Sequence, residues 1–333
     1  MSKADLEQQV EALRSEGINV WSISRLNTAH DCPLEYYLTY IAKEPPQQNV
    51  YGFLGGVIHE ILEEVQNGTK SADQLKPIMC MAIDEANQEG LVFPNEQIKK
   101  SWVEDVMLFC DGFKKLEGNF ETELGFIFEL EGEHIQGFID CLIHDMEGKA
   151  HIMDWKTSSM FERDKLLKAG RQLILYKLGY EDIWKEPVES VSWFMIKYNT
   201  IEYNGKKYMK NRRKMVEQTF KHINNQFELQ GYSPMIKNLF LDNFTKTGSL
   251  ESLPESVRNT VSVKDCIMRY NITSDLIDET KTYILNEVKQ IRARSNNIED
   301  WPSCNIDKNN FYCQNLCGQK NICPAYRKYL IKG

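Results

Sequence analysis

The 333-residue chain predicts an α/β fold: a mixed central sheet flanked by helices, with a helical N-terminal part and a C-terminal cysteine tail. Three observations carry this. Apolar runs of strand length follow one another between residues 121 and 198, interrupted once by a helical stretch. Residues 2–115 read mostly as helix. Four of the nine cysteines crowd into the last 30 residues.

The elements follow in order. Residues 55–63 read as a helix in which Ile58, Ile61, Leu62 and Val65 make one apolar stripe. His59 and Glu63 are four apart and stack on one flank of that stripe; Glu60 and Glu64 fall on the far side, toward water. Gly55, one turn before His59, leaves room for close backbone approach. Residues 121–130 read as a strand, Glu131-Gly132-Glu133 as a turn, and 135–143 and 150–156 as two further strands. A helix over 162–180 and a strand over 190–198 come next. Residues 211–229 and 275–296 read as helices with a less regular stretch between. The expected organisation is one integrated unit in four parts: 1–120 helical, 121–200 the core, 201–300 mostly helical, and 301–333 the cysteine-rich tail.

The chemistry concentrates on two of the strands. Asp140 ends Gly137-Phe138-Ile139-Asp140, and Asp154 and Lys156 lie in Ile152-Met153-Asp154-Trp155-Lys156-Thr157. Two acids on adjacent strands can hold a hard divalent cation through oxygen. Lys156, two residues from Asp154, points to the same face and can orient a water or meet charge building on a phosphate. These are the minimal parts for metal-dependent phosphodiester cleavage. An Asp-x-Lys triplet alone is a weak signal, and taken singly His59 reads as an ordinary half-buried histidine and Glu63 as a solvated acid. On the next helix Gln172 and Tyr176 repeat the four-residue spacing, with Lys168 one turn back; amide and phenol can position a phosphate or water. Glu129, on the 121–130 strand, is a further candidate acid, equally readable as a surface residue.

Composition bounds the rest. Hydrophobic residues make up 42% and charged residues 26%, ordinary for a globular chain. No run approaches a membrane span, and the N-terminus is polar and amphipathic, so an intracellular place is expected, with cellular and viral origin both open. Net charge is −8, which excludes a protein that coats DNA along its whole surface. The densest basic stretch holds Lys206, Lys207, Lys210, Arg212, Arg213 and Lys214; it reads equally as a phosphate contact and as a solvated loop. There is no G-x-x-x-x-G-K-[ST] motif, so a helicase would be a separate partner.

Nine cysteines, an odd count without a signal peptide, argue against a disulfide framework. Cys80, Cys110, Cys141 and Cys266 read as small buried hydrophobes. The tail set, Cys304-x8-Cys313-x3-Cys317-x5-Cys323, reads as a metal site for zinc or an iron–sulfur cluster.

Together, Asp140, Asp154-x-Lys156, the Gly55/His59/Glu63 helix before and the Gln172/Tyr176 helix after resemble the PD-(D/E)XK nuclease superfamily, RecB-like branch. Ser24-Arg25-Leu26, Asp31-Cys32-Pro33 and Tyr36-Tyr37 add to the likeness, which spans residues 22–325. With the tail cysteines they resemble the branch shared by CRISPR-associated adaptation nucleases, the AddB nuclease domain and phage exonucleases. The resemblance implies a restriction-endonuclease-like core. It implies Mg²⁺ or Mn²⁺ held by His59, Glu63, Asp140 and Asp154, with Lys156, Gln172 and Tyr176 as catalytic and positioning groups. It implies exonuclease action on DNA ends or single strands and a helicase or recombination partner. It also implies a structural [4Fe–4S] cluster on Cys32, Cys313, Cys317 and Cys323. The tail departs from the family's usual Cys-x2-Cys-x5-Cys, so the set Cys304, Cys313, Cys317 and Cys323, able to hold zinc, stays open. Two other functions also stay open: a non-catalytic DNA-binding or assembly subunit, and a zinc-binding interaction protein.

Overall fold

In the computed structural model, residues 1–116, 118–161 and 164–332 are described. The strands are β1 (Val20–Trp21), β2 (Asn119–Leu130), β3 (Glu133–His144), β4 (Ala150–Lys156), β5 (Val188–Tyr203), β6 (Lys206–Asn211) and β7 (Ser262–Tyr270). The early helices are α1 (Lys3–Ser15), α2 (Ile23–Asp31), α3 (Pro33–Tyr36), α4 (Val50–Gln66), α5 (Leu75–Gln88), α6 (Glu96–Gly112) and α7 (Asp164–Trp184). After β6 come α8 (Met215–Leu229), α9 (Pro234–Thr247), α10 (Glu255–Arg258), α11 (Ser274–Arg292), α12 (Asn310–Asn315) and α13 (Pro324–Lys332).

All seven strands join one mixed sheet. β2, β3 and β4 run antiparallel in turn, β4 and β5 are parallel, and β6 and β7 both pair antiparallel with β5. The short β1 lies parallel to the start of β3. The parallel β4–β5 step needs a crossover, which α7 provides.

Each face of the sheet buries its own core. On one, Ile135, Ile139, Ile152 and Trp193 meet Leu173 and Tyr176 of α7 and Ile284 of α11. On the other, Cys141, Met153, Trp155 and Phe194 meet Leu54, Ile58 and Ile61 of α4 and Phe109 of α6. The alternation of strand side chains therefore sends Trp155 and its neighbours Asp154 and Lys156 to opposite faces. Phe126 of β2 shows how tightly α7 is seated. A Cβ on Gly137 or Gly179 would come within 2.4 and 2.3 Å of its ring, so both positions admit only glycine.

The structure departs from the expected elements in the 201–300 part. β5 runs on to Tyr203, and β6 and β7 extend the same sheet, so strands of this largely helical part continue the core. β7 is an edge strand in which only Cys266 is buried, and its charged residues hide the strand alternation. The helix expected over 211–229 starts at Met215, after a 3₁₀ turn at Arg212–Lys214. The expected helix start at 162 lies outside the described residues. Cys110, Cys141 and Cys266 are buried as expected, but Cys80 is exposed on α5. Among the described residues no helix is long and apolar enough to cross a membrane.

Candidate active site and cysteine cavity

The acid pocket forms where β3 and β4 part. Their ladder ends at Cys141 and Met153. One residue on, the Asp140 carboxylate takes the place of a strand carbonyl and accepts the Trp155 N–H at 2.9 Å. Asp154 is fully buried, and Lys156 Nζ stands 2.6 Å from its Oδ2. The lysine satisfies Oδ2, and among the described residues the buried Oδ1 has no hydrogen-bonding partner. A buried carboxylate oxygen left unpaired is costly unless a cation completes it.

α4 brings His59 to the same place. Its Nδ1 is 3.5 Å from Asp140 Oδ2, and its ring packs edge-on against Trp155 at 5.9 Å. Donor atoms of His59, Asp140 and Glu123 lie within 4.8 Å of one another. Glu123 is thus the β2 acid at the pocket; Glu129 is exposed. Glu63, one turn beyond His59, is half-buried and outside that trio; burial raises the Glu123 carboxyl, and the charge of Glu63 adds to it. Glu123 holds φ +49°, a left-handed conformation that costs a non-glycine residue, at the point where it faces Asp140.

Glu123 was legible in principle. The two-residue turn Glu131-Gly132 fixes the hairpin register, with Leu130 opposite Glu133. Counting back along both strands sets Glu123 opposite Asp140. The signal lies in the pairing of two strands and not in the sequence neighbourhood of either acid, so it stays hidden without that count.

α7 closes the pocket from the far face. Lys156 Nζ donates to Gln172 Oε1 at 3.0 Å, and Gln172 Nε2 donates to the Tyr176 hydroxyl at 2.7 Å. The four-residue spacing on α7 therefore forms one chain ending on Lys156. Lys168 is not part of it; it pairs with Asp31 on the surface. Gly55 packs near Thr157 Oγ1, but an added Cβ would make only ordinary contact at 3.4 Å, so close approach does not require glycine there.

Charge in the pocket is strongly perturbed. Burial raises Asp140 to about 6 and Asp154 to about 7, against the pull of Lys156. Burial lowers His59, and Lys156 adds to this, which keeps the imidazole neutral and able to ligate. Burial alone would lower Lys156, but Asp154 and Asp140 outweigh it and hold the lysine charged. Burial and the two aspartates raise Tyr176 well above its ordinary value, so its hydroxyl keeps its proton. Buried carboxylates with an unpaired oxygen beside a neutral imidazole fit a divalent cation.

The cysteine cavity joins the two ends of the described fold. Cys32 lies between α2 and α3, where Pro33 opens the second helix. Cys32, Cys304, Cys313, Cys317 and Cys323 line one cavity. The Cys304 N–H donates to Cys32 Sγ at 3.4 Å, and the Cys304 and Cys313 sulfurs are 3.7 Å apart. Both candidate ligand sets thus meet at one place. The tail is strapped down by Leu34 N–H to the Pro302 carbonyl at 3.1 Å, Gln47 N–H to the Gly318 carbonyl at 2.8 Å, and Tyr312 to Glu35 at 3.0 Å. Trp301 stacks on Tyr36 at 5.3 Å. Burial raises Cys32 to about 12 and Cys304 to about 11, so the thiols stay protonated unless a cation draws them into thiolate form.

The basic stretch divides. Lys206, Lys207 and Lys214 are exposed and Lys210 half-exposed. Arg212 does not face solvent: it is buried, donating to the Ile196 carbonyl at 2.5 Å and to Asp265 at 2.6 Å. Arg213 is held by buried Asp105 and the Ser101 carbonyl. These two guanidiniums brace β5 and α6.

Comparison with known proteins agrees with this geometry. A sequence model of the PD-(D/E)XK nuclease superfamily matches residues 20–324. One of the subunits of the ATP-dependent helicase/deoxyribonuclease of Carboxydothermus hydrogenoformans is 25% identical over 254 residues, covering 64% of this chain. The match spans 23% of that relative's own length. A crystal structure of SSO0001 aligns over 96% of this chain and 94% of its own, at 12% identity and a TM-score of 0.33, too low to support an inference. With the match covering nearly the whole fold, and a mixed sheet between helical layers carrying Asp140, Asp154 and Lys156, the chain belongs to the PD-(D/E)XK nuclease superfamily.

Proposed function

We propose that this chain is a metal-dependent deoxyribonuclease that removes nucleotides from DNA ends as an exonuclease. The observation that carries the reading is buried Asp154, with Oδ2 on Lys156 and Oδ1 unpaired among the described residues, next to the trio His59, Glu123 and Asp140. Asp140 and Asp154 would hold Mg²⁺ or Mn²⁺ with His59, and Glu123 or Glu63 would complete the set; a nitrogen ligand suits Mn²⁺. A divalent cation there lowers the pKa of bound water and neutralises charge on the phosphate. Lys156, held by Gln172 and Tyr176, orients the attacking water and meets charge on the phosphoryl oxygens. Preference for DNA ends follows the family resemblance. The helicase in the name of the Carboxydothermus relative suggests a helicase partner for this chain too.

The cysteine cavity is read as a structural [4Fe–4S] site on Cys32, Cys313, Cys317 and Cys323. Zn–S bonds of ~2.3 Å would bring all four sulfurs within about 4 Å of one another. The Cys304 and Cys313 sulfurs stand at 3.7 Å, so the local tail set holding zinc is the alternative that the ligand test must separate. The cluster's role is to staple distant segments, since binding there is coupled to folding.

The deciding experiment digests end-labelled single- and double-stranded oligonucleotides, linear and circular, with Mg²⁺ or Mn²⁺. Shortening of linear DNA from its ends while circles survive is expected. Cut circles would make the chain an endonuclease; no cleavage of any substrate would favour a non-catalytic DNA-binding subunit.

A further inference from the structure

A groove opens next along the chain from the acid pocket. Its floor is the Thr157-Ser158-Ser159 turn, which begins one residue past Lys156, together with Lys197 and Tyr198 of β5. Its walls are Tyr51 of α4, residues of α6, and Phe311 of α12 in the cysteine tail. Tyr51 and His59 share α4 and stand eight residues apart, about 12 Å along the axis. The groove therefore leads away from the metal-binding trio along one helix.

β5 is irregular where it meets the groove. Its ladder with β7 breaks between Phe194 and Asn199, and its ladder with β4 ends at Met195. The bulge re-aims Lys197 and Tyr198, as bulges beside active sites do. Lys197 has no carboxylate within ion-pair distance among the described residues; Asp105, the nearest acid to act on it, is held by Arg213. Burial lowers Lys197 to about 8, which leaves it charged near neutral pH, and an anion at its side would hold that charge more firmly. Phe311 is 51% exposed, unusual for a phenylalanine at a groove edge, and Tyr51 is braced edge-on by Phe93 at 5.3 Å.

Lys197 beside an Asp105–Arg213 pair that takes up the groove's acid, three aromatic side chains and a hydroxyl-lined floor match a particular polymer. Aromatic faces stack on unpaired bases, whereas in a duplex each base face is already covered by its neighbours. We propose that this groove holds the single-stranded end of the DNA, with bases stacked on Phe311, Tyr51 and Tyr198 and a phosphate on Lys197. The proposal rests on the nuclease reading and adds the strand state of its substrate.

The test measures binding of a labelled oligothymidylate and of a blunt hairpin duplex, in Ca²⁺, by fluorescence anisotropy. Phe311→Ala should weaken oligothymidylate binding about 5- to 100-fold, the range of one lost stacking contact, and Lys197→Gln should weaken it as well through one lost phosphate contact. Duplex binding should change less than about 2-fold. Lys197→Gln should also flatten the dependence of log affinity on log salt by about 0.7, the share of one phosphate contact on a single strand. Phe311→Trp should restore affinity and Phe311→Leu should not, which separates stacking from packing. Equal losses on both probes, rescue by leucine, or wild-type protein that does not bind oligothymidylate would overturn the groove. The binding measurements decide the groove by themselves; failure of wild-type protein to cleave DNA in Mg²⁺ or Mn²⁺ would overturn the nuclease reading instead.

Discussion

The acid pocket and the cysteine cavity both gather ionisable groups that the protein leaves short of partners, but they are held in opposite ways. Asp140, Asp154 and Lys156 lie within 17 residues on paired strands, fixed by the sheet ladder and by cores on both faces. The cavity draws Cys32 to cysteines more than 270 residues away, through loops, a six-residue helix and a handful of straps. The sheet positions the first set whether or not a cation is present. The second set has little secondary structure to fall back on. Loss of the bound group should therefore cost activity at one site and folding at the other.

The sharpest break of that contrast would come from Lys156→Ala. It should lower cleavage about 10³-fold, the scale of a lost charge-stabilising group, while the melting temperature stays near wild type. Activity within a few-fold of wild type would remove Lys156 from the chemistry.

Cys32→Ala should do the reverse. The broad absorbance near ~400 nm of anaerobically purified protein should disappear, and the melting temperature should fall by about 10 °C or more. Cys304→Ala should leave the absorbance nearly intact. If Cys304 proves essential and Cys32 dispensable, the ligands form a local tail site. Stoichiometric zinc without iron or sulfide would replace the cluster and leave the acid pocket untouched.

A smaller effect tests who completes the acid site. Glu123→Gln should raise the Mn²⁺ concentration for half-maximal activity about 10- to 100-fold, as changes around metal ligands do. Glu63→Gln should move it less. The opposite order would place Glu63 in the ligand set and Glu123 beside it.

The smallest expected effect is on stability against pH. Unfolded aspartates titrate near ~3.9. Folded Asp140 and Asp154 sit at about 6 and about 7, so the folded chain retains protons that the unfolded chain has given up. Metal-free stability therefore falls as pH rises from about 4 through 7. Asp154→Asn should raise the melting temperature by a few degrees at pH 8 in chelator and leave it nearly unchanged at pH 4. Mg²⁺ should stabilise wild type at pH 8 and the variant hardly at all. A variant less stable than wild type at pH 8 would mean that the ion pair with Lys156 outweighs the burial of Asp154.

Much of this was legible in the sequence where the signal was local. The hairpin, β4, α7 and α4 follow from hydrophobic period and turn chemistry, and the Asp-x-Lys spacing on β4 sends both side chains to one face. What escaped were long-range or edge features. β7 carries charge along an edge and shows one buried residue. Glu123 needed a count across two strands. Arg212 read as a phosphate contact because sequence shows charge and not burial, and only the fold places Asp265 beside it. The groove draws its lining from six separated segments, so no window of sequence contains it.

The cavity also imposes an order on synthesis. Cys32 leaves the ribosome 291 residues before Cys323. At 5–20 residues per second that is a wait of roughly 15–60 s. During it Cys32, Leu34 and Leu38, buried together in the finished chain against Cys304 and Cys323, have no cover from the tail. The sheet can form in that interval; the cavity cannot. Closure of the cavity therefore comes after the sheet, and a chain cut short before residue 301 keeps its acids but never assembles the five-thiol cavity.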